Sequence, residues 1–167
     1  MEPITKTMKE YAGFWLRFVA YIIDYIVIQV IQSFVVLPVL GVFGLSFGAA
    51  SGFNFDLEDM SDGEMFAVIA AFVSALSAII LIALIIQVLY YAFMESSNNQ
   101  ATLGKMVLGL IVTDMDGNKL TFSKALLRQL AKILSALLFM IGFIIAGFTE
   151  KKQALHDMIA GALVIKK

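Results

Sequence analysis

The chain has no cysteine, one histidine, two prolines and one tryptophan in 167 residues. Without cysteine there can be no disulfide, no thiolate metal site and no cysteine nucleophile. A single histidine rules out a histidine-rich metal centre and leaves little for acid–base or Ser–His chemistry. Charge is also scarce. Charged residues make up 15% of the chain and the formal net charge is −1, so there is no basic patch of the kind that binds nucleic acid. What is abundant is apolar: 60% of the residues, with a mean hydropathy of +0.90. Soluble domains are about half apolar, and a compact soluble fold of this size could not bury the excess. These absences exclude a soluble enzyme and point to an integral protein of the lipid bilayer, with no metal or cofactor expected.

Residues 1–12 are polar and include Glu2, Lys6, Lys9 and Glu10. The next segment, 13–37, is apolar except for Arg17, Asp24, Gln29, Gln32 and Ser33. It is long enough for a first transmembrane helix, which needs about 20 residues. It is also too long for the core of a cleaved signal peptide. Pro38 and Gly41 are expected to end it. Residues 38–64 then read as an external loop closing in Asp56, Glu58, Asp59, Asp62 and Glu64, most simply a solvated acidic loop. The second span, 65–93, has almost no polar side chain before Gln87 and ends at Tyr90 and Tyr91, which suit the headgroup level.

Residues 94–122 are compatible with water. Gly104 and Gly109 bracket a short amphipathic turn. Asp116-Gly117-Asn118 between Leu110–Thr113 and Lys119–Phe122 predicts a small β-hairpin. Asp114 and Asp116 resemble the start of a calcium loop, but no glutamate closes it at the required distance. The third apolar region, 123–149, carries a basic stripe of Lys124, Arg128 and Lys132, four residues apart. Its uninterrupted part, 133–148, would rise about 24 Å, short of a bilayer core of about 30 Å. Two paths stay open: a bent, re-entrant element, or one tilted helix with Lys132 snorkelling to the surface. The tail, 150–167, holds a short amphipathic segment, a helix stop at Gly161 and a possible strand at 162–165.

Every lysine and arginine lies in residues 6–17 or 105–167. The positive-inside rule therefore turns the loop between the spans outward and places the N-terminus and residues 94–122 in the cytoplasm of a multi-pass cell-membrane protein. A complete third crossing would put Lys151, Lys152, Lys166 and Lys167 outside, against the same rule. The fold class expected is all-α: two clear transmembrane helices, a third membrane element, a small cytoplasmic β-hairpin and short amphipathic helices.

Arg17 and Asp24 are the costly residues. They share a helix face two turns, about 10.5 Å, apart. Arg17 can snorkel, whereas Asp24 lies near mid-span, where an ionised carboxylate costs a few kcal/mol. Asp24 must pair, protonate or face water. Arg17 is too far along the axis, which leaves Lys132, His156 and Asp157 as candidate partners. As a structural anchor, Asp24 would sit in a buried ion pair. As a functional group, it would bind a cation or relay a proton.

The segment Gly13-Phe-Trp-Leu-Arg17-Phe-Val-Ala20-Tyr-Ile-Ile-Asp24 resembles the opening signature of the RDD family of membrane proteins, named for one arginine and two aspartates. Arg17 and Asp24 match the first two of these. Asp157, in Gln153-Ala-Leu-His-Asp157, matches the third. The resemblance continues through Ala101-Thr-Leu-Gly104-Lys105 and Ala125-Leu-Leu-Arg128 and covers nearly the whole chain outside 38–64. Lys151-Lys152 stands where arginines are common, Ala162-Leu-Val-Ile where Thr-Val-Val is typical, and Gln100 where glycine is usual. The family implies membrane transport, with monovalent cation/proton antiport proposed for some members, or an accessory or scaffold role in a membrane complex. In an exchanger, Arg17, Asp24 and Asp157 would form the charge network, with Arg128, Lys132 and His156 as accessories. A homo-oligomer would be needed to enclose a path for cations and protons. In a non-catalytic assembly or regulatory subunit the same charges would be structural.

Overall fold

Two long helices dominate the computed structural model, which describes residues 10–50, 60–137 and 141–167. Helix α1 runs Phe14–Ala50 and helix α2 runs Asp62–Ser96. Each is long and apolar enough to cross a membrane. At 37 and 35 residues they rise roughly 55 and 52 Å, well beyond a bilayer core. Both overrun the expected spans. Pro38 lies inside α1 and does not end it. Proline breaks one backbone hydrogen bond, but residues 39–50 are apolar, small or serine and offer the chain no better conformation; spanning helices tolerate this loss. Helix α2 begins before Met65 because Ser61 and Glu64 form a capping box. The Glu64 carboxylate accepts from the Ser61 amide (2.9 Å) and hydroxyl (2.7 Å), and the Ser61 hydroxyl accepts from the Glu64 amide (3.4 Å). The acidic side chains of Asp56, Glu58 and Asp59, and residues 1–9 with Lys6 and Lys9, lie outside the described residues.

The chain divides into two units, residues 29–87 and residues 1–28 with 88–167. In the first, Gln32 donates to the Ala83 carbonyl at 2.8 Å. Phe72 meets the edges of Phe43 and Phe47. The second unit carries the short elements: α3 (Leu103–Val107), β1 (Leu110–Asp114), α4 (Phe122–Leu137), α5 (Ile141–Ile144), α6 (Leu155–Ala160) and β2 (Ala162–Lys166).

The sheet is not the expected hairpin. β1 pairs antiparallel with β2, Val112 opposite Val164, and only a single bridge joins Thr113 to Lys119. The turn itself forms, with Asp114 Oδ1 accepting from the amides of Asp116 (3.0 Å) and Asn118 (2.8 Å). The second arm is lost because helix α4 begins at Phe122, whereas Ala162–Ile165 supplies four buried apolar residues in a row. Gly161, at φ +60°, makes the left-handed stop between α6 and β2. Residues 10–12 lie along the other edge of β2, with the Ala12 amide on the Val164 carbonyl at 2.9 Å. Ala12, Ala20, Leu110, Val112, Leu120 and Val164 form the apolar cluster here.

The third apolar region is not one tilted helix. A Cβ placed on Gly142 would fall 2.7 Å from the Ser135 side chain. In a straight helix residues seven apart stand about 10.5 Å from each other. Helix α5 therefore packs against α4 and does not continue it; residues 138–140 lie outside the described residues.

Candidate functional site

On α1 the positions Ala20, Asp24 and Ile28, four residues apart, are the buried ones and face inward as a stripe. Asp24 is 1% exposed. None of its expected partners reaches it. Its carboxylate accepts instead from the Thr102 hydroxyl (2.5 Å), the Gly104 amide (2.7 Å) and the Tyr90 hydroxyl (3.0 Å). Tyr90 in turn accepts from the Leu103 amide at 3.2 Å. The start of α3 thus docks on α1 with its free amides satisfied by the carboxylate and by the tyrosine that the carboxylate orients. Gly104 makes the approach possible: a Cβ there would lie 2.1 Å from the Ala20 carbonyl oxygen. Spacing on α1 alone could not reveal this, because the donors come from the 101–105 segment.

A second cluster gathers the remaining charges. Arg128 of α4 bridges two buried carboxylates. Its Nη1 donates to both oxygens of Glu95, each at 2.6 Å, and its Nε reaches Asp157 Oδ1 at 2.7 Å. Asp157 also binds Arg17 and accepts from the Ala154 amide at 3.1 Å, which caps α6. Glu95 further accepts from Lys105 Nζ (2.5 Å) and Gln129 Nε2 (2.9 Å). Lys132 Nζ lies 4.0 Å from Glu95 and 4.3 Å from the centre of the Tyr91 ring, a cation–π position. Arg17, Arg128 and Asp157 therefore belong to one network, Lys132 borders it, and Asp24 stands apart in a site of neutral donors. His156 packs its ring 5.1 Å from Phe143, with Nε2 3.5 Å from Asp157.

The electrostatics follow from burial and pairing. Burial pushes the Asp157 carboxyl up, but Arg128 and Arg17 more than reverse this and hold it well below the usual carboxylate range. Burial lowers Lys105, and the neighbouring Glu95 only partly restores it. Burial takes His156 down to about 2, so the imidazole stays neutral at physiological pH. Four basic side chains, Arg17, Lys105, Arg128 and Lys132, surround two carboxylates.

Glu95, Lys105 and Gln129 were not singled out from the sequence. A signal existed for the first two: Glu95 is the only acid between Glu64 and Asp114, and Lys105 is the first basic residue after Arg17. The Gln100 position keeps the conformation that a glycine would give, at φ +52°, with its side chain on the Val112 carbonyl at 3.3 Å. Among the described residues no His, Asp and Glu side chains form a group able to hold a metal.

A family model described as the RDD family matches residues 11–161. The uncharacterized protein YxaI of Bacillus subtilis (strain 168) is 36% identical over 160 residues, covering 96% of this chain and 100% of that protein. The uncharacterized membrane protein YteJ of the same organism is 32% identical over 156 residues, covering 93% of this chain and 80% of its own length. The uncharacterized protein RP437 of Rickettsia prowazekii (strain Madrid E) is 44% identical over 66 residues, 39% of this chain and 36% of that protein. No solved structure matches.

Proposed function

The chain belongs to the RDD family of membrane proteins, and from that premise we propose that it is a non-catalytic assembly or regulatory subunit of a membrane complex. One observation carries this reading: fixed donors already occupy both carboxylates of the network, with Arg128 shared between them. A transporting carboxylate must release its partners in each cycle. Breaking a buried ion pair by removing one partner costs about 3–5 kcal/mol, which suits a permanent brace between α1, α2, α4 and α6 better than a cycling site. The distribution of lysine and arginine supports a cell-membrane orientation with the N-terminus and the network on the cytoplasmic side.

A second reading, monovalent cation/proton antiport by a homo-oligomer, is favoured by Asp24. Its carboxylate is buried, receives only neutral donors and has two hydroxyl oxygens beside it. The two readings separate in proteoliposomes holding a pH gradient and a trapped pH dye, challenged with Na⁺, K⁺ and Li⁺. The subunit reading expects no cation-dependent collapse of the gradient. It also expects a stoichiometric membrane partner to be retained by wild-type bait in mild detergent and lost by Arg128→Met. Collapse that disappears in Asp24→Asn would overturn it in favour of antiport.

A further inference from the structure

Three short helices of the unit formed by residues 1–28 and 88–167 are inside out. Helix α4 buries Arg128, Gln129 and Ser135 and exposes Leu127, Leu130 and Ile133. In α6, His156 and Asp157 are buried while Met158 and Ile159 are exposed. In α3, Lys105 is buried and Val107 is 72% exposed. A surface helix in water shows the reverse, with its apolar stripe on the core and its charges in solvent. The same inversion in three separate helices means that their outer medium is apolar.

We propose that the outward faces of α3, α4 and α6 lie in the acyl chains of one bilayer leaflet, with the ion-pair network as the polar lining behind them. Continuity with a membrane span identifies lipid as the occupant. Phe93 of α2, itself 59% exposed, lies with its ring centre 4.9 Å from that of Phe122 at the start of α4, the two rings tilted by 39°, so the lipid-facing surface of α2 runs directly onto that of α4. Helix α4 enters the leaflet without crossing it, since 16 residues rise only about 24 Å against about 30 Å of hydrocarbon. Lys124 at one end and Lys151 and Lys152 beyond the other are solvent-exposed, as groups at the level of lipid phosphates should be. The exposed backbone of α4 needs no partner in lipid because its hydrogen bonds are internal. This face meets lipid whether the chain is a subunit or a transporter.

The lack of cysteine makes the test clean. Single substitutions Leu127→Cys, Leu130→Cys and Met158→Cys, with Lys124→Cys and Lys151→Cys as controls, are spin-labelled in the full chain. The labelled protein is reconstituted in phosphatidylcholine–phosphatidylglycerol vesicles. At the three apolar sites, relaxation by oxygen should exceed relaxation by a water-soluble nickel chelate, and the two lysine sites should show the opposite preference. Agreement at two of the three apolar sites suffices, so one poorly folding variant does not decide the result. Nickel access at the apolar sites equal to that at Lys124 would overturn the proposal. Protection from both oxygen and nickel would overturn it too, because a second copy of the chain, not lipid, would then cover the face.

Discussion

The unit that holds the site contains two interiors of opposite character. Around the sheet, Leu110, Val112 and Val164 are buried with Ala12 and Ala20, and every member is apolar. Where α2 ends, Glu95, Arg128, Gln129 and Asp157 are equally buried, and every member is polar. Helix α6 serves both, giving Ala160 to the first and Asp157 to the second. The first interior is what water would select. The second needs an apolar medium outside it, because burying that many charges gains nothing over burying leucines when the alternative surroundings are water. The contrast teaches that a low charge content does not mean a dispersed one. Much of the charge carried by the described residues is concentrated here, and it holds several elements together at once.

The largest effect should come from the polar interior. Arg128→Met removes the guanidinium that Glu95 and Asp157 share, leaving them Lys105 and Arg17, and should cost about 3 kcal/mol, against about 0.5–1.5 kcal/mol for Ile165→Val in the buried sheet. Thermal unfolding of the detergent-solubilised protein compares them directly. If Ile165→Val proved the more damaging, the network would be ornament rather than frame. Gly104→Ala sharpens the picture at Asp24. The new methyl group meets the Ala20 backbone, which cannot swing aside, so a loss of about 3 kcal/mol is expected. Faster hydrogen exchange at Leu103 and Gly104 would show that α3 has lifted from α1.

The smallest effect is a pH slope. The folded protein holds His156 far below its ordinary value of 6.5, at about 2. Below pH 6.5 the unfolded chain therefore takes up a proton that the folded chain refuses. Stability must fall as pH drops, by about 1.4 kcal/mol per unit once well below 6.5. Between about pH 6 and pH 5 the carboxylates of the unfolded chain are still largely ionised and the slope belongs to the histidine; below about pH 5 the depressed Asp157 adds to it. His156→Phe should flatten it in urea titrations at stepped pH; an unchanged slope would assign the proton to another group.

Much of this architecture was legible in the chain. Both spans follow from sustained hydropathy, and Arg17 and Asp24 stand out because a charge in an apolar run is costly wherever it ends up; Asp157 is marked by the resemblance to the RDD family. The capping box at Ser61 and Glu64 is legible too, although the acids around it read as a solvated loop. The expected hairpin gives way for a different reason. The Asp116-Gly117-Asn118 turn is local and forms, but which strand answers β1 is settled by burial, and the C-terminal segment is the more apolar.

Residue order and composition by themselves determined that this chain enters a membrane, where its two clear spans lie and that Arg17 and Asp24 are expensive there, since hydropathy, helix length and desolvation act locally. Tertiary structure alone decided who answers those expensive residues: hydroxyls and an amide for Asp24, and Asp157, shared with Arg128, for Arg17. The physical reason is that a buried charge specifies only that it must be satisfied. Which donor does so depends on which elements can pack closely enough, as Gly104 lets α3 do against Ala20.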